Sequence, residues 1–183
     1  LGHCPSGIRQ LFVRFSCADP MAESDARLEC FKERLLPSLL HAMTQSKGDA
    51  QTMLFVPRYF DFVRVRQMLV AEDVPFASVS EYSTPQQASR ARTSLQKREV
   101  PLLLYTERAH FFRRHKLRGA RHLAVYAPPS YAHFYTELVQ LLDRANDPFG
   151  GEDPFAGLSA FGSYPTPQPQ RSVSRDQCVA LRQ

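Results

Sequence analysis

Basic side chains are concentrated in one short segment of this sequence, residues 107–121. The segment holds six basic residues and one glutamate, a surplus that equals the net charge of +5 of the whole 183-residue chain. Guanidinium groups match the geometry of phosphate oxygens, and the rings of Phe111 and Phe112 stand among them. Because the rest of the chain sums to zero charge, the pattern indicates a local site for a polyanion and not a generally basic protein.

The residues alone leave several functions of this segment possible. The basic residues can bind RNA, bind an acidic protein segment or form a solvated surface. The rings of Phe111 and Phe112 can stack on bases, but we expect both rings to be buried in the core. A second group of basic residues lies on the polar stretch before this segment: Arg90, Arg92, Lys97 and Arg98.

The motifs of common enzyme classes are absent from the sequence. It contains no glycine-rich loop ending in Lys-Ser/Thr, no GxGxxG, no GxSxG and no HExxH. The histidines lack metal-ligand spacing and are predicted to be structural or on the surface, and the cysteines form no CxxC pair. This composition favours a reduced intracellular protein with no metal and no cofactor. No apolar run approaches the roughly 18 residues of a membrane span. No signal peptide is visible, and the start at Leu1 suggests a fragment of a longer protein.

Hydrophobic patterning predicts alternating strands and helices along residues 1–145. The predicted strands are Ile8–Phe15, Thr52–Val56, Phe76–Ser80, Val100–Tyr105 and His122–Tyr126. The predicted helices are Ala26–Met43 (which Pro37 is expected to kink or split), Phe60–Val70, a capped helix from Thr84 to Arg98, Thr106–His115, and a helix from a Ser130 cap to Arg144. A polar loop is predicted at Asp19–Asp25. This order predicts an α/β fold, with a parallel sheet and helices on both faces.

Such a sheet places its ligands at the loops that follow the carboxyl ends of the strands. Here these loops begin at Pro57, Glu81, Thr106 and Ala127. Composition changes after this unit, because residues 146–170 hold five of the fourteen prolines and read as a linker or insertion. Residues 171–183 are predicted to return to the domain, with a strand edge at Arg171–Val173 and the start of a truncated helix at Asp176–Gln183.

The order of these segments resembles the second RecA-like domain of superfamily 2 RNA helicases. The resemblance is carried by Ile8–Phe15, Ala26–Met43, MLFVPRYFDFVRVRQML (53–69), ASVSEYSTPQQASRARTSLQKREVPLLLYT (77–106) and HLAVYAPP (122–129). Helicases carry Arg-Gly-Asp after the threonine, and a His-Arg-x-Gly-Arg-x-x-Arg motif after the last strand. This chain has TERAHFFRRHKLRGARHL (106–123) and SYAHFYTELVQLL (130–142) there. Without arginines that reach the ATP γ-phosphate, the resemblance implies a pseudo-helicase and not an enzyme.

The substituted segments resemble the digestive organ expansion factor family of U3 small nucleolar RNA-associated proteins. The carrying segments are LFVPRYFDFVRVR (54–66), TERAHFFRRHKLRGARHLAVYAPPSYAHFYTEL (106–138) and SVSRDQCVALRQ (172–183). This resemblance implies a nuclear, nucleolar domain that acts in pre-ribosomal RNA processing and small ribosomal subunit assembly. The implied partners are pre-ribosomal RNA, the U3 small nucleolar ribonucleoprotein and other small-subunit processome proteins, with no membrane and no small-molecule substrate.

The resemblance also suggests contact residues. Arg58, Thr106 and Arg108 stand where helicase domains hold the RNA backbone. The other expected RNA- or partner-binding residues are Arg113, Arg114, Lys116, Arg118, Arg121, Arg90 and Arg92. No catalytic or metal-binding residue is expected. The alternatives are the C-terminal half of an active ATP-dependent RNA helicase and a module that binds only proteins.

Overall fold

The computed structural model describes residues 10–17, 19–45, 51–142 and 178–182. The strands in these ranges are β1 (Gln10–Arg14), β2 (Thr52–Val56), β3 (Phe76–Val79), β4 (Leu102–Thr106), β5 (His122–Val125) and β6 (Cys178–Arg182). The α-helices are α1 (Glu23–Cys30), α2 (Leu36–Gln45), α3 (Tyr59–Ala71), α4 (Pro85–Gln96), α5 (Glu107–Arg113) and α6 (Ala132–Gln140). The predicted alternation of strands and helices is confirmed from β1 to α6.

One sheet holds the described strands in the order β1-β6-β5-β2-β4-β3. Strands β5, β2, β4 and β3 run parallel, with Leu54 of β2 between Ala124 and Leu104. Strands β2 and β4 are buried along their whole length, because helices cover both faces of the sheet. The predicted α/β fold with a parallel sheet and helices on both faces is therefore confirmed.

Strand β6 overturns the prediction of a helix at Asp176–Gln183. Residues 178–182 pair antiparallel with β1 and with β5, and Ala180 lies opposite both Phe12 and Val125. A short apolar run suits a buried strand as well as a helix, so its periodicity does not decide between them. Here the edges of β1 and β5 decide, because they offer backbone partners on both sides of the segment. The predicted linker or insertion at 146–170 and the predicted strand edge at Arg171–Val173 lie outside the described residues.

The pleat of the central strands sends alternate residues into two separate cores. Leu54 and Leu104 face the layer of α1, α2 and α3. Phe55 and Tyr105 face the opposite layer, which consists of α4, α5 and α6. The buried apolar residues of the basic segment 107–121, which are Ala109, Leu117 and Ala120, all lie in this second core, so the segment belongs to the second layer.

The first helix begins earlier than predicted. The expected loop Asp19–Asp25 is a 3₁₀ turn, Pro20–Ala22, followed directly by α1. The Asp19 carboxylate accepts the backbone N–H of Met21 at 2.9 Å, and Pro20 occupies the first position of the turn, where a missing N–H costs nothing.

A π-helical turn at Phe31–Leu35 joins α1 to α2. The Leu36 N–H bonds back to the carbonyl of Phe31, five residues earlier. This turn lies directly before Pro37, which lacks an N–H and whose ring clashes with the carbonyl four residues back in a regular helix. The wider turn lets the helix continue past the proline that was expected to kink or split it.

Candidate nucleic-acid interface

The carboxyl ends of the parallel strands are joined by a network of buried carboxylates. The Thr106 hydroxyl, at the end of β4, donates to Glu81 in the loop after β3 at 2.9 Å. The same hydroxyl accepts the N–H of Ala109 at 3.3 Å and so caps α5. Glu107 accepts the backbone N–H of Ser130, in the loop after β5, at 2.8 Å. Three of the predicted ligand-binding loops are therefore fixed to one another.

Two predicted roles change in this network. Thr106 is only 1% exposed and its hydroxyl is occupied on both sides, so the side chain positions α5 and does not present itself to a ligand. Ser130 does not cap the last helix, which starts at Ala132 with Tyr131 at the cap position. The bond from Ser130 to Glu107 holds this loop outside the helix.

His110 fastens α5 to the core. It is 2% exposed, and its Nε2 lies 2.9 Å from Glu137 on α6, while its Nδ1 lies 3.4 Å from the Tyr105 hydroxyl. Burial lowers the pKa of His110, although the Glu137 carboxylate opposes this effect, so the ring is mostly neutral near neutral pH. A neutral ring that donates from Nε2 and accepts at Nδ1 satisfies both neighbours. This histidine is structural.

The rings of Phe111 and Phe112 are exposed, and the prediction that they are buried is wrong. They are 47% and 64% exposed. Ala109 and His110 already take the inward positions of α5, and a helix turns by about 100° per residue, so the next two side chains face away from the core. The helix then ends, because Arg114 adopts the left-handed conformation with φ 37°.

Residues 114–121 continue as a loop whose side chains divide between surface and core. Leu117 and Ala120 are buried in the core with α4 and α6. Arg114 and Lys116 are exposed just before Leu117, and Arg118 is exposed between the two anchors. The apolar anchors therefore hold a series of cations at the surface.

The basic residues of α4 adjoin this loop. A Cβ added at Gly119 in the loop would lie 3.1 Å from the Cα of Gln96, the last residue of α4. Burial lowers the pKa of His115 in the same loop, and the positive charges of Arg92 and Arg113 lower it further. Arg90 is exposed on α4. We call the basic face the set Arg90, Arg92, Arg108, Arg113, Arg114, Lys116 and Arg118. Arg121 lies at the amino end of the parallel strands, where its backbone N–H bonds to the carbonyl of Gln51 before β2. The exposed Arg58 stands at the N-cap of α3, which belongs to the opposite layer.

Gly119→Ala is expected to destabilise the chain by about 1–2 kcal/mol. Gly119 has a φ of 93°, and an added Cβ would lie 3.1 Å from the Cα of Gln96 and 3.4 Å from the carbonyl oxygen of Leu95. Both neighbours are backbone atoms, which cannot rotate away. Urea denaturation measures the loss, and Arg118→Ala at the neighbouring exposed position should stay within about 0.5 kcal/mol of the wild type. Equal stability of the G119A variant and the wild type would contradict this packing.

Exposed aromatic rings that the sequence did not single out lie at the carboxyl edge. Tyr59 follows β2 and Tyr82 follows β3, and their ring centroids are 4.9 Å apart. Tyr131 follows β5 and stacks on Phe111 at 6.2 Å. All three are at least 40% exposed. Tyr59 and Tyr82 lie in the predicted carboxyl-end loops and Tyr131 lies next to one, and this position is the signal that would have found them.

In the part of the chain that the structure describes, no group of three or more His, Cys, Asp or Glu side chains is arranged to hold a metal ion. No helix in the same ranges combines the length and apolar character that crossing a membrane requires.

Comparison with solved structures defines the class of fold. The crystal structure of the C-terminal part of the Fun30 ATPase domain matches with a TM-score of 0.54 at 12% identity, over 72% of this chain and 40% of that one. The chain therefore shares its fold with the C-terminal part of an ATPase domain.

Sequence comparison identifies the family. The model of the Utp25 C-terminal domain matches residues 1–154, and the chain belongs to this family, as the resemblance predicted. Similar relatives are the U3 small nucleolar RNA-associated protein 25 of Pyrenophora tritici-repentis (38% identical, over 76% of this chain and 21% of the relative) and of Candida dubliniensis (37% identical, over 75% and 19%). That of Arthroderma benhamiae is 36% identical over 77% of this chain and 21% of the relative. The chain spans about a fifth of the length of these relatives.

Proposed function

We propose that this chain is a non-catalytic, RecA-like pseudo-helicase domain that binds RNA and serves as a scaffold in the small-subunit processome. It acts in pre-ribosomal RNA processing and small ribosomal subunit assembly, in the nucleolus, together with the U3 small nucleolar ribonucleoprotein. The relatives are named U3 small nucleolar RNA-associated proteins, and this name supports an RNA partner. The observation that carries the proposal is the basic face.

The cations of the basic face are poorly compensated by acidic neighbours. Arg114 shares Glu137 with His110, and the Arg108 Nε lies 4.0 Å from the largely buried Glu81. The other exposed cations of α5 and its loop form no ion pair with another residue that the structure describes; they are Arg113, Lys116 and Arg118. A polyanion can neutralise them without breaking existing pairs, and the release of its counterions favours binding.

The helix that follows β5 supports a non-catalytic role. In the resemblance to helicases, this position carries the arginines that reach ATP, whereas α6 reads AHFYTELVQ and contains no arginine. Although burial raises the pKa of Glu137, hydrogen bonds from His110 and Arg114 lower it below its ordinary value, so this helix presents a carboxylate.

The likeness to an ATPase domain favours a second candidate, the C-terminal half of an active ATP-dependent RNA helicase. A helicase needs a phosphate-binding loop that this chain does not contain, so ATP hydrolysis is measured on the full-length protein, with and without RNA. The proposal predicts hydrolysis at background level in both conditions. Hydrolysis stimulated by RNA would favour the helicase.

Charge reversal of Arg113, Arg114 and Arg118 to glutamate is expected to weaken RNA binding by about 100-fold or more. Each lost phosphate contact should also reduce the slope of log affinity against log salt concentration by about one unit. Fluorescence anisotropy with a labelled pre-ribosomal RNA fragment at several salt concentrations measures both quantities. A thermal melt checks that the variant folds, because Arg114 also contacts Glu137.

The matched control replaces Lys32, Arg34 and Arg66 with glutamate. These substitutions change the net charge by the same amount, but they lie on the opposite helical layer. All three are exposed. This control should keep most of the affinity and of the salt slope. If the first variant binds RNA like the wild type, the RNA proposal is wrong and the protein-only alternative gains support; crosslinking in purified pre-ribosomes then identifies the contacting partner.

A further inference from the structure

Two groups of exposed aromatic rings lie along the carboxyl edge of the sheet. Tyr59 and Tyr82 form the first group, with ring centroids 4.9 Å apart. Phe111, Phe112 and Tyr131 form the second, in which Phe111 lies 5.2 Å from Phe112 and 6.2 Å from Tyr131. The exposed fractions of these five rings range from 40% to 69%. Exposed aromatic side chains gathered in this way mark a binding surface more often than rings scattered singly.

Arg108 lies between the two groups. Its guanidinium carbon is 5.9 Å from the centre of the Phe112 ring, and its Nε is 4.0 Å from Glu81, the residue before Tyr82. The side chain of Arg108 is 63% exposed, so its cation remains open to a ligand. We call the aromatic strip the set Tyr59, Tyr82, Arg108, Phe112, Phe111 and Tyr131.

The side-chain contacts order the strip from Tyr59 through Tyr82, Arg108, Phe112 and Phe111 to Tyr131. Its residues follow the four strands β5, β2, β4 and β3, whose carboxyl ends lie at one edge of the sheet. Three intervals between parallel strands span about 14 Å, which is room for a few nucleotides. The basic face continues from the strip through α5, which carries Arg108, Phe111, Phe112 and Arg113.

We propose that the aromatic strip stacks unpaired bases, so that the chain binds single-stranded RNA in preference to a duplex. This inference rests on the proposed function, because the basic face supplies the phosphate contacts. Bases in a duplex already stack on each other, and only unpaired bases can lie on protein rings. An acidic protein segment would use the cations but gain nothing specific from several rings, so the combination favours RNA.

The test compares three labelled ligands of about 12 units each: an unstructured RNA, the same sequence as a duplex, and an abasic chain with the same phosphates. The full chain is expected to bind the single strand at least about 10-fold more tightly than the other two. Phe112→Ala and Tyr82→Ala should each weaken single-strand binding by about 5–10-fold, without changing the salt slope or the affinity for the abasic chain.

Phe60→Ala is the matched control. Phe60 is 71% exposed, but it lies beside Arg64, which bonds to α1, and therefore faces away from Tyr82. This variant should bind all three ligands like the wild type.

The outcomes separate this inference from the proposed function. If all three ligands bind equally and with a salt slope, or if F112A and Y82A bind like the wild type, the stacking inference is wrong while RNA binding stands. A wild-type chain that binds none of the ligands overturns both. A glutamate-rich peptide that displaces RNA from the wild type but not from F112A would assign the strip to a protein partner and overturn the inference.

Discussion

Replacement of Arg27 by methionine is expected to lower the free energy of unfolding by about 3–5 kcal/mol. Arg27 is completely buried and Asp61 is 1% exposed, and their nearest charged atoms lie 3.7 Å apart. The guanidinium group also pairs with Glu23 and lies beside the rings of Phe15 and Tyr126, at 5.8 and 5.9 Å. Without this cation the Asp61 carboxylate keeps only the hydroxyl of Ser24 as a partner among the described residues, so a buried negative charge loses its compensation.

The double variant Arg27→Met, Asp61→Leu identifies the cause of the loss. Apolar residues can replace a buried ion pair with little cost, so the double variant should regain most of the stability that the single variant loses. Urea denaturation of the wild type, both single variants and the double variant completes the cycle. If the losses of the two single variants simply add, the charges do not act as a pair.

Arg64→Met is the matched control for this prediction. Arg64 pairs with Asp25, whose side chain is 75% exposed. Solvent-exposed ion pairs contribute about 0–1 kcal/mol to the free energy of unfolding, so the R64M variant should lose little stability. An R27M variant that is no less stable than R64M would show that burial does not govern the cost.

Acidification from about pH 7 to about pH 4.5 is expected to destabilise the chain through its buried histidines. Burial and, to a smaller extent, the positive charge of Arg121 lower the pKa of His122 to about 4. The unfolded chain titrates this ring near a pKa of about 6.5. In the window between these two values the unfolded state binds a proton that the folded state does not, so stability falls as the pH falls.

The size of the effect follows from the pKa difference. A group with a folded pKa of about 4 loses on the order of 3 kcal/mol of stability across this window, and the partial contact of His122 with solvent makes that an upper limit. Burial also lowers the pKa of His110 and His115, which adds to the effect in the same direction.

His122→Gln should flatten the pH dependence of stability, because glutamine binds no proton. Urea denaturation at several pH values measures the profile. His41→Gln, at an exposed position of α2, controls for the substitution itself and should leave the profile of the wild type in place. An H122Q variant with the wild-type profile would show that other groups cause the acid sensitivity.

Local sequence determined the elements whose signals lie within a few residues. Thr84 and Gln87 predict a capping box, and both of its hydrogen bonds are present, at 3.2 and 2.9 Å. The apolar runs that became β2 and β4 predict buried strands, because only strands covered on both faces are apolar at every position. The α/β class and the position of the basic segment were predicted from order and composition along the chain, whereas the family was predicted from the resemblance of segments such as 54–66 and 106–138.

Other features depend on residues that are distant in the sequence, and the tertiary structure decided them. A segment as short as 178–182 becomes a strand because β1 and β5 flank it. The rotation of α5 was set by the Thr106 cap and by the bond from His110 to Glu137, which leave Phe111 and Phe112 outside. Arg27 is buried because the fold brings Asp61, from a distant part of the sequence, to within 3.7 Å of its guanidinium group. The charge of the basic segment was therefore evident from the sequence, but its alignment with an exposed row of rings required the packed sheet, because only packing brings four strand ends to one edge.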